Sequence, residues 1–435
     1  MKNFIDTIKN IWKIQELRGR ILTTLGFLLI YRLGSFVALP GIDPQQLDAL
    51  QNQTSDGLLG LLNMFTGGAF SQASIMALGI MPYISASIVI QLMTMAVPYL
   101  QKLQKDGESG RTKISQITRY LTVLITSVQA PGYIANLKAT LPPEAFLLSS
   151  TSFWFSSVII LVTGTMFAMW LGEKITDSGI GNGISLLIMV GIIASLPQAF
   201  LFEVGRAKPL IILVEMVVLL LVILASVLLV QGVRRIPIQY AKRGAIAQVA
   251  AARQYLPLKV NAAGVMPIIF AQAIMFIPIT FAGLSDSESM QTFITNFSDF
   301  SGLWYNLVFA SLIILFTYFY TAMTVNTNQM ADDLKRNGGF VPGVKPGKDT
   351  ASFLDNIMSR IVLPGSFFLA FIAILPAFAM NAGINQSFSQ FFGGTSLLIM
   401  VGVVLDTLQQ IESYLLNRHY DGLMKSGRLS GRSGM

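Results

Sequence analysis

The chain has 435 residues, of which 53% are hydrophobic and 12% are charged, and it carries a formal net charge of +8 with a mean hydropathy of +0.62. Soluble domains carry about 25% charged residues, so this composition excludes a water-soluble particle and indicates an integral membrane protein. The chain has no cysteine and one histidine, His419, which excludes disulfides, thiolate metal sites and most histidine-based catalysis. The sequence GVKPGKD at 343–349 has the wrong spacing for a phosphate-binding Walker A loop. We therefore expect no cofactor, no metal and no catalytic residue.

The first twenty residues are polar and basic and carry no cleavable signal pattern. Phe4, Ile8, Ile11 and Leu17 can share one face of a short amphipathic helix. Such a helix is typical of a segment lying along the membrane surface, and partner binding is the alternative. We interpret 1–20 as a separate N-terminal segment.

Ten apolar runs follow, each of about the 20 residues that a membrane-spanning helix requires. They cover 21–39, 75–97, 117–137, 152–172, 184–202, 210–231, 262–283, 304–325, 358–379 and 393–411. Ten spans place both termini on one side of the membrane. Of the 30 lysines and arginines, 26 lie in the termini and loops of that side and 4 on the other. Because basic loops remain inside the cell, we expect both termini to be cytoplasmic.

The segment that precedes the second span is interrupted by Gly67, Gly68 and several hydroxyl residues. A glycine pair at membrane depth argues against one straight spanning helix. Non-helical backbone is tolerated there only where protein or a water-filled cavity surrounds it. The pattern predicts a re-entrant piece in an external funnel, and a simple external loop is the alternative.

Two predicted cytoplasmic loops, 232–260 and 326–357, are long for connections between membrane helices. The first loop contains six basic residues and no acidic residue: Arg234, Arg235, Lys242, Arg243, Arg253 and Lys259. Positive loops can serve only to orient the chain and to contact anionic lipid. Their length and charge equally suit docking of ribosomal RNA or of an acidic protein face.

Polar residues in the spans are few, and their usual role is hydrogen bonding between helices. They include Gln91, Thr94, Thr122, Gln129, Asn261 and Gln272. Arg32, Glu215 and Asp406 lie close enough to span ends for their charged groups to reach the membrane surface. The spans therefore lack the buried charged relay of an ion-coupled carrier, which weighs against the alternative function of a small-solute secondary transporter. An intramembrane hydrolase is disfavoured further, because no nucleophile motif is present.

Several motifs, in a constant order along nearly the whole chain, carry a family resemblance. They are FTGGAFSQASIMALGIMPYISASIVIQL at 65–92, GESGRTKISQITRY at 107–120, GIGNGIS at 179–185, YAKR at 240–243, LPLKVNAAGVMP at 256–267, FVPGVKPGKDT at 340–350 and GGTSLLI at 393–399. In these motifs the chain resembles the SecY family, the central channel subunits of the Sec protein translocase. The resemblance implies an all-α integral membrane fold with ten transmembrane helices in two pseudo-symmetric five-helix halves around an hourglass pore, with a re-entrant plug.

In this scheme residues 21–203 form the N-terminal half, 204–411 the C-terminal half and 412–435 a cytoplasmic tail. The halves would hinge on the external connection from Glu203 to Lys208. A lateral gate would open between the second and third spans on one side and the seventh and eighth on the other.

The resemblance also assigns roles to four sets of residues. The apolar pore ring would comprise Ile84, Ile88, Ile184, Ile188, Ile269 and Ile399. The plug would comprise Leu62, Asn63, Met64, Phe65, Thr66, Gly67, Gly68, Ala69, Phe70, Ser71, Gln72, Ala73 and Ser74. The polar cluster at the lateral gate would comprise Thr94, Gln129 and Asn261. The docking surface for SecA or the ribosome would comprise Arg234, Arg235, Lys242, Arg243, Arg253, Lys335, Arg336, Lys345 and Lys348.

The implied function is a protein-conducting channel of the bacterial plasma membrane, which translocates signal-bearing unfolded precursor proteins and releases hydrophobic segments sideways into the lipid bilayer. Because the chain has no nucleotide motif, the driving force would come from the SecA ATPase or a translating ribosome. Small membrane subunits of the SecE and SecG type would complete the channel. The chain departs from bacterial relatives at Lys345, where they usually carry arginine, and at 244–252, where they often carry further arginines. Lysine lacks the two-pronged donor geometry of arginine, so the balance between ribosome and motor binding can differ.

Overall fold

The computed structural model describes residues 12, 14–47, 50, 57–240, 254–282 and 301–426. Its helices in chain order are α1 (Gln15–Ser35), α2 (Gly57–Phe65), α3 (Met81–Ala96), α4 (Pro98–Lys105), α5 (Gly107–Thr140), α6 (Ser150–Ser178), α7 (Gly183–Arg206), α8 (Pro209–Gln231), α9 (Met266–Ala282), α10 (Leu303–Thr324), α11 (Thr327–Arg336), α12 (Lys348–Asn381), α13 (Gln386–Ser389) and α14 (Gly394–Ser426). The strands are β1 (Val233–Tyr240), β2 (Gln254–Lys259) and β3 (Gly339–Phe340).

Each of the ten predicted apolar runs overlaps a helix, namely α1, α3, α5 to α10, α12 and α14. Within the described part of the chain, six helical segments are long and apolar enough to cross a membrane. They lie in α6, α7, α8, α10 continued into α11, α12 and α14. A seventh results if α3 and α4 form one broken span. The protein is therefore a mostly helical, multi-pass membrane protein.

Helix boundaries differ from the apolar runs where backbone chemistry overrides hydropathy. Helix α3 begins at Met81 and not at 75, because Gly79 has a φ of +52° and Pro82 suits the first helical turn. Helices α5 and α12 each begin about ten residues before their apolar runs. A hydropathy profile detects only the apolar part of a helix. The polar helical turns at the starts of α5 and α12 therefore give no signal.

The described residues divide into two compact units. The first contains the residues up to Gln198 together with those from Val403 onward, and the second contains Ala199–Gly402. In the first unit α5 packs against both α3 and α6. Its buried core includes Phe70, Tyr133 and Phe153, contributed by the segment before α3, by α5 and by α6.

In the second unit α12 packs against α10, and α10 also packs against α9. The described parts of the two long loops form an antiparallel sheet in the order β2-β1-β3, with Ile236 opposite Leu256. Ile236 and Ile238 are buried while Arg235 and Pro237 are exposed, so β1 presents one apolar face. Ile236 and Leu258 join a core with Leu354 and Met358 of α12. The sheet is thereby anchored on the polar end of α12.

Candidate functional site

The predicted plug, 62–74, begins in the last turn of α2 and continues as turns that reach Ile80. The chain leaves the helix at Phe65. There the N–H of Gly67 donates to the Met64 carbonyl at 3.0 Å, and the N–H of Gly68 donates to the Asn63 carbonyl at 2.8 Å. This is a Schellman ending, and the φ of +66° at Gly67 is one that glycine adopts at no steric cost. The glycine pair therefore ends a helix, in agreement with the expectation that no straight helix spans this segment.

Short polar side chains within the predicted plug segment form hydrogen bonds to its own backbone. The side-chain oxygen of Asn63 accepts the backbone N–H of Ser71 at 3.0 Å, and the Ser71 hydroxyl donates to the Gly68 carbonyl at 3.0 Å. Thr66 accepts the backbone N–H of Phe70 at 3.3 Å. Because these bonds satisfy backbone groups locally, the segment can be buried without regular secondary structure.

Three elements of the first unit contact the plug segment directly. Tyr133 of α5 donates a hydrogen bond to the Phe70 carbonyl, and Arg32 of α1 donates from Nη1 to the Gly67 carbonyl at 2.6 Å. On α7, Gly191 lies so close that a Cβ there would be 2.7 Å from the Phe65 carbonyl oxygen. The sequence predicts that the Arg32 guanidinium extends to the membrane surface, but in the structure it binds the Gly67 carbonyl inside the first unit.

The prediction that the charged group of Glu215 reaches the membrane surface is also not met in the structure. Glu215 lies on α8 and is only 6% exposed, so its carboxylate does not reach a surface of the second unit. Its Oε2 is buried without a hydrogen-bond partner among the described residues. Nearby in sequence, Glu203 is 2% exposed and its Oε2 accepts the backbone N–H of Asn385 at 2.9 Å. The family resemblance implies that Glu203 begins the external hinge connection, whereas in the structure it lies in the last turn of α7.

Of the six predicted ring isoleucines, three are buried and three are half-buried. Ile84 and Ile88 follow at a spacing of four on α3, and Ile88 is buried while Ile84 is half-buried. On α7, Ile188 is buried and half-buried Ile184 has its Cγ1 2.8 Å from where a Cβ on Gly172 of α6 would lie. In the second unit Ile269 is half-buried on α9 and Ile399 is buried on α14. A spacing of four places the two members of each pair on one helix face.

The three residues predicted for the lateral-gate cluster have separate surroundings. The Thr94 hydroxyl donates to the Gln91 carbonyl of its own helix at 2.6 Å. Gln129 is half-buried, and no hydrogen bond joins it to Thr94 in the described part of the chain. Asn261 is 7% exposed, and its Oδ1 is buried without a partner among the described residues. An unpaired buried amide oxygen is costly, so Asn261 is the member with the clearest unmet hydrogen-bonding demand.

The described residues of the predicted docking surface are all exposed. Arg234 and Arg235 lie on β1, and Lys335 and Arg336 lie in the last turn of α11. Lys345 and Lys348 lie just before and at the start of α12. Lys242, Arg243 and Arg253 lie outside the described residues, as does the arginine-poor tip at 244–252.

The GIGNGIS motif has a structural role in the first unit that its residues alone do not indicate. The N–H of Ile180 donates to the Thr24 hydroxyl at 3.0 Å, and the N–H of Gly181 donates to the Gln410 side chain at 2.8 Å. Arg20 donates to the Gly179 carbonyl at 3.3 Å. The turn between α6 and α7 thereby fastens α1 to α14. The uncapped backbone donors and acceptors of a glycine-rich turn are the signal that could have suggested it.

Comparisons with known proteins identify the family of the chain. A family model described as SecY matches residues 74–408 of the chain. The chain is 42% identical over 426 residues to the protein translocase subunit SecY of Escherichia coli (strain K12), with 96% of each chain covered. It is 40% identical over 441 residues to the protein translocase subunit SecY of Streptomyces coelicolor, with 95% of this chain and 98% of the relative covered.

Solved structures share the fold at lower identity. A SecY protein whose plug domain stabilises the closed channel matches with a TM-score of 0.60 at 18% identity, with 92% of each chain covered. Sec61 in the canine ribosome–channel complex matches with a TM-score of 0.57 at 16% identity, covering 92% of this chain and 93% of Sec61. The idle yeast Ssh1 complex bound to the 80S ribosome matches at 0.56 and 14% identity, covering 93% and 89%.

The family model covers most of the chain, and bacterial relatives are 40% or more identical over nearly its whole length. The solved structures that share the fold include a protein-conducting channel and the SecY translocation channel. The chain therefore belongs to the SecY family, as a protein-conducting channel subunit of the Sec translocase and not an enzyme.

Proposed function

We propose that this channel moves signal-bearing unfolded polypeptides across the bacterial plasma membrane and releases hydrophobic segments sideways into the bilayer. The observation that carries the proposal is the non-helical segment 66–80, which is largely buried inside a mostly helical unit. Irregular backbone at membrane depth requires protein or a water-filled cavity around it. A segment of this kind suits a plug beneath a pore.

The isoleucines at 84, 88, 184, 188, 269 and 399 suit the constriction of such a pore. Branched aliphatic side chains impose no hydrogen-bonding requirement, so they tolerate any sequence that passes. A narrow apolar ring also sheds water, which limits the leakage of ions. In this scheme residues 21–203 and 204–411 are the two halves that contribute to the ring.

Sideways release can be driven by partitioning alone. About 20 apolar residues that enter lipid gain about 0.3–0.6 kcal/mol each, or about 6–12 kcal/mol in total. Hydrogen bonds between membrane helices contribute about 1–2 kcal/mol at most. Hydrogen bonds among Thr94, Gln129 and Asn261 would therefore be strong enough to bias a gate shut and weak enough for a signal sequence to open it; in the described residues Thr94 bonds within its own helix and Asn261 Oδ1 is unpaired.

Partitioning cannot move a polar chain, so translocation requires a cytoplasmic partner. We infer that SecA and the ribosome dock on the two loops that carry the sheet, with both termini on the same, cytoplasmic side. Exposed Arg234, Arg235, Lys335 and Arg336 supply positive charge there. Ribosome-bound relatives of the same fold support this role for the ribosome. SecE-type and SecG-type subunits are inferred from family membership.

The test is reconstitution of the chain with its small partners in liposomes, followed by addition of SecA, ATP and a signal-bearing precursor. We expect precursor protected from protease only when ATP is present. Replacing Gln129 and Asn261 together by leucine should change the protected fraction, whereas Ser127→Leu, at an exposed site on the same helix as Gln129, should not. Absence of protection with active SecA and correctly oriented channel would contradict the proposal and favour a small-solute transporter.

A further inference from the structure

We propose that Arg32 is a positioning residue for the plug: its guanidinium holds the Gly67 carbonyl and keeps the plug segment seated against α7. This inference rests on the proposed function of 62–74 as a plug. Arg32 lies in the last turn of α1, within a predicted span. An arginine at membrane depth is costly unless it has a specific partner, so its contacts indicate its role.

The contacts of Arg32 are directed at the plug backbone. Its Nη1 lies 2.6 Å from the Gly67 carbonyl oxygen, and its guanidinium carbon lies 5.1 Å from the centre of the Phe36 ring. In the described part of the chain no carboxylate lies within ion-pair distance of Arg32. Gly67 closely follows α2, whose last carbonyls carry the negative end of the helix dipole. The positive charge therefore meets its complement at the end of α2.

The side of Gly67 that faces Arg32 also touches α7. A Cβ on Gly67 would lie 2.5 Å from Arg32 Nη1 and 2.9 Å from Gly191 Cα. A Cβ on Gly191 would lie 3.0 Å from the Gly67 nitrogen. The backbone at Gly67 thus packs against both the Arg32 guanidinium and the bare surface of α7 at Gly191. Neither Gly67 nor Gly191 carries a side chain. Release of the plug at this point therefore breaks one charge-assisted hydrogen bond and does not require any side chain to leave a packed pocket.

A matched control exists in the same unit. Lys138 also lies in the last turn of a long helix, α5, and donates one hydrogen bond at 2.8 Å, but to Ser150 at the start of α6. It lies on the same predicted side of the membrane as Arg32. Removing its charge should loosen α5 from α6 slightly without touching the plug.

The test uses the absence of native cysteine. A single Gln72→Cys reporter in the plug is labelled with a membrane-impermeant maleimide in the reconstituted complex, without precursor, SecA or ATP. We expect Arg32→Gln to raise the labelling rate about tenfold, equivalent to about 1.4 kcal/mol. Arg32→Lys, which keeps the charge and loses the planar fork, should give a smaller rise. Lys138→Gln should leave the rate unchanged.

An unchanged rate in Arg32→Gln, or an equal rise in Lys138→Gln, would overturn the proposal. A second reporter, Glu144→Cys in an exposed turn, checks the fold of each variant. If Arg32→Gln also alters labelling at Glu144→Cys, the milder variant Arg32→Lys is used instead. A rise in labelling of the plug reporter alone then supports the contact, and no rise refutes it. The labelling assay does not depend on translocation, so it tests the Arg32 contact separately from the proposed function. If Arg32→Gln speeds labelling of the plug reporter but the channel does not translocate precursor, the contact is supported and only the plug role is rejected.

Discussion

The Tyr133 hydroxyl donates a hydrogen bond of 2.8 Å to the Phe70 carbonyl, and the two rings meet edge to face with their centres 4.7 Å apart. Tyr133 lies on α5 and is 5% exposed, while Phe70 lies in the plug segment and is 6% exposed. A buried phenol usually has such a partner, because leaving it unpaired is costly. The contact fixes the plug segment to α5, as Arg32 fixes it to α1.

Tyr133→Phe should loosen the plug while preserving ring packing. The variant removes a neutral hydrogen bond worth about 0.5–1.5 kcal/mol. We expect the labelling rate of the Gln72→Cys reporter to rise about two- to tenfold by the same free-energy scale. Tyr120→Phe, on the same helix at a site that is 77% exposed, is the control and should have no effect. Equal rates in the two variants would show that the Tyr133 bond does not restrain the plug.

Gly191→Ala should displace the plug from the α7 side. The new Cβ would lie 2.7 Å from the Phe65 carbonyl oxygen and 3.0 Å from the Gly67 nitrogen, both backbone atoms. We expect a higher resting leak of small ions through the reconstituted channel. Gly205→Ala on the same helix has nothing within 4 Å of its new Cβ and should leave the leak unchanged. A leak that stays at the parent level in Gly191→Ala would argue against seating of the plug at this point.

Gly164→Ala should destabilise the first unit. Its Cβ would fall on the carbonyl oxygen of Ile75, in the turn before α3, so α6 would have to move away. Strain of this kind typically costs about 1–3 kcal/mol, which lowers the melting temperature of the purified complex. Gly132→Ala on α5 has open space around it and should be neutral or slightly stabilising. Similar melting temperatures for both variants would contradict the close approach.

Arg234→Gln combined with Arg235→Gln should weaken ribosome binding and flatten its salt dependence. Each cation that contacts an RNA phosphate adds about one unit to the slope of log affinity against log salt, so the slope should fall by about two. The control is Arg111→Gln combined with Lys113→Gln, two exposed cations at the start of α5 outside the proposed docking set. An equal fall in the control would indicate general surface attraction in place of docking on the sheet.

The sequence predicts the helices and the break at Gly67 and Gly68, because apolar runs and glycine pairs act through local chemistry. It could not predict that Arg32 binds the Gly67 carbonyl 35 residues away, since that contact depends on how α1 packs. It also does not predict β1 and β2, because the exposed charges of Arg234 and Arg235 obscure the strand to which they belong. The ring, gate and docking assignments came from family resemblance, and they stay predictions.

The most direct test of the channel account is crosslinking of a precursor stalled during translocation. Each of the six ring isoleucines is replaced in turn by cysteine and paired with a single cysteine in the precursor. Ile159 of α6, which is 65% exposed, serves as the control position. We expect crosslinks from positions 84, 88, 188, 269 and 399, a weaker one from Ile184 because it contacts Gly172, and none from Ile159. Crosslinks from Ile159 as strong as those from the ring would contradict a polypeptide path through these isoleucines.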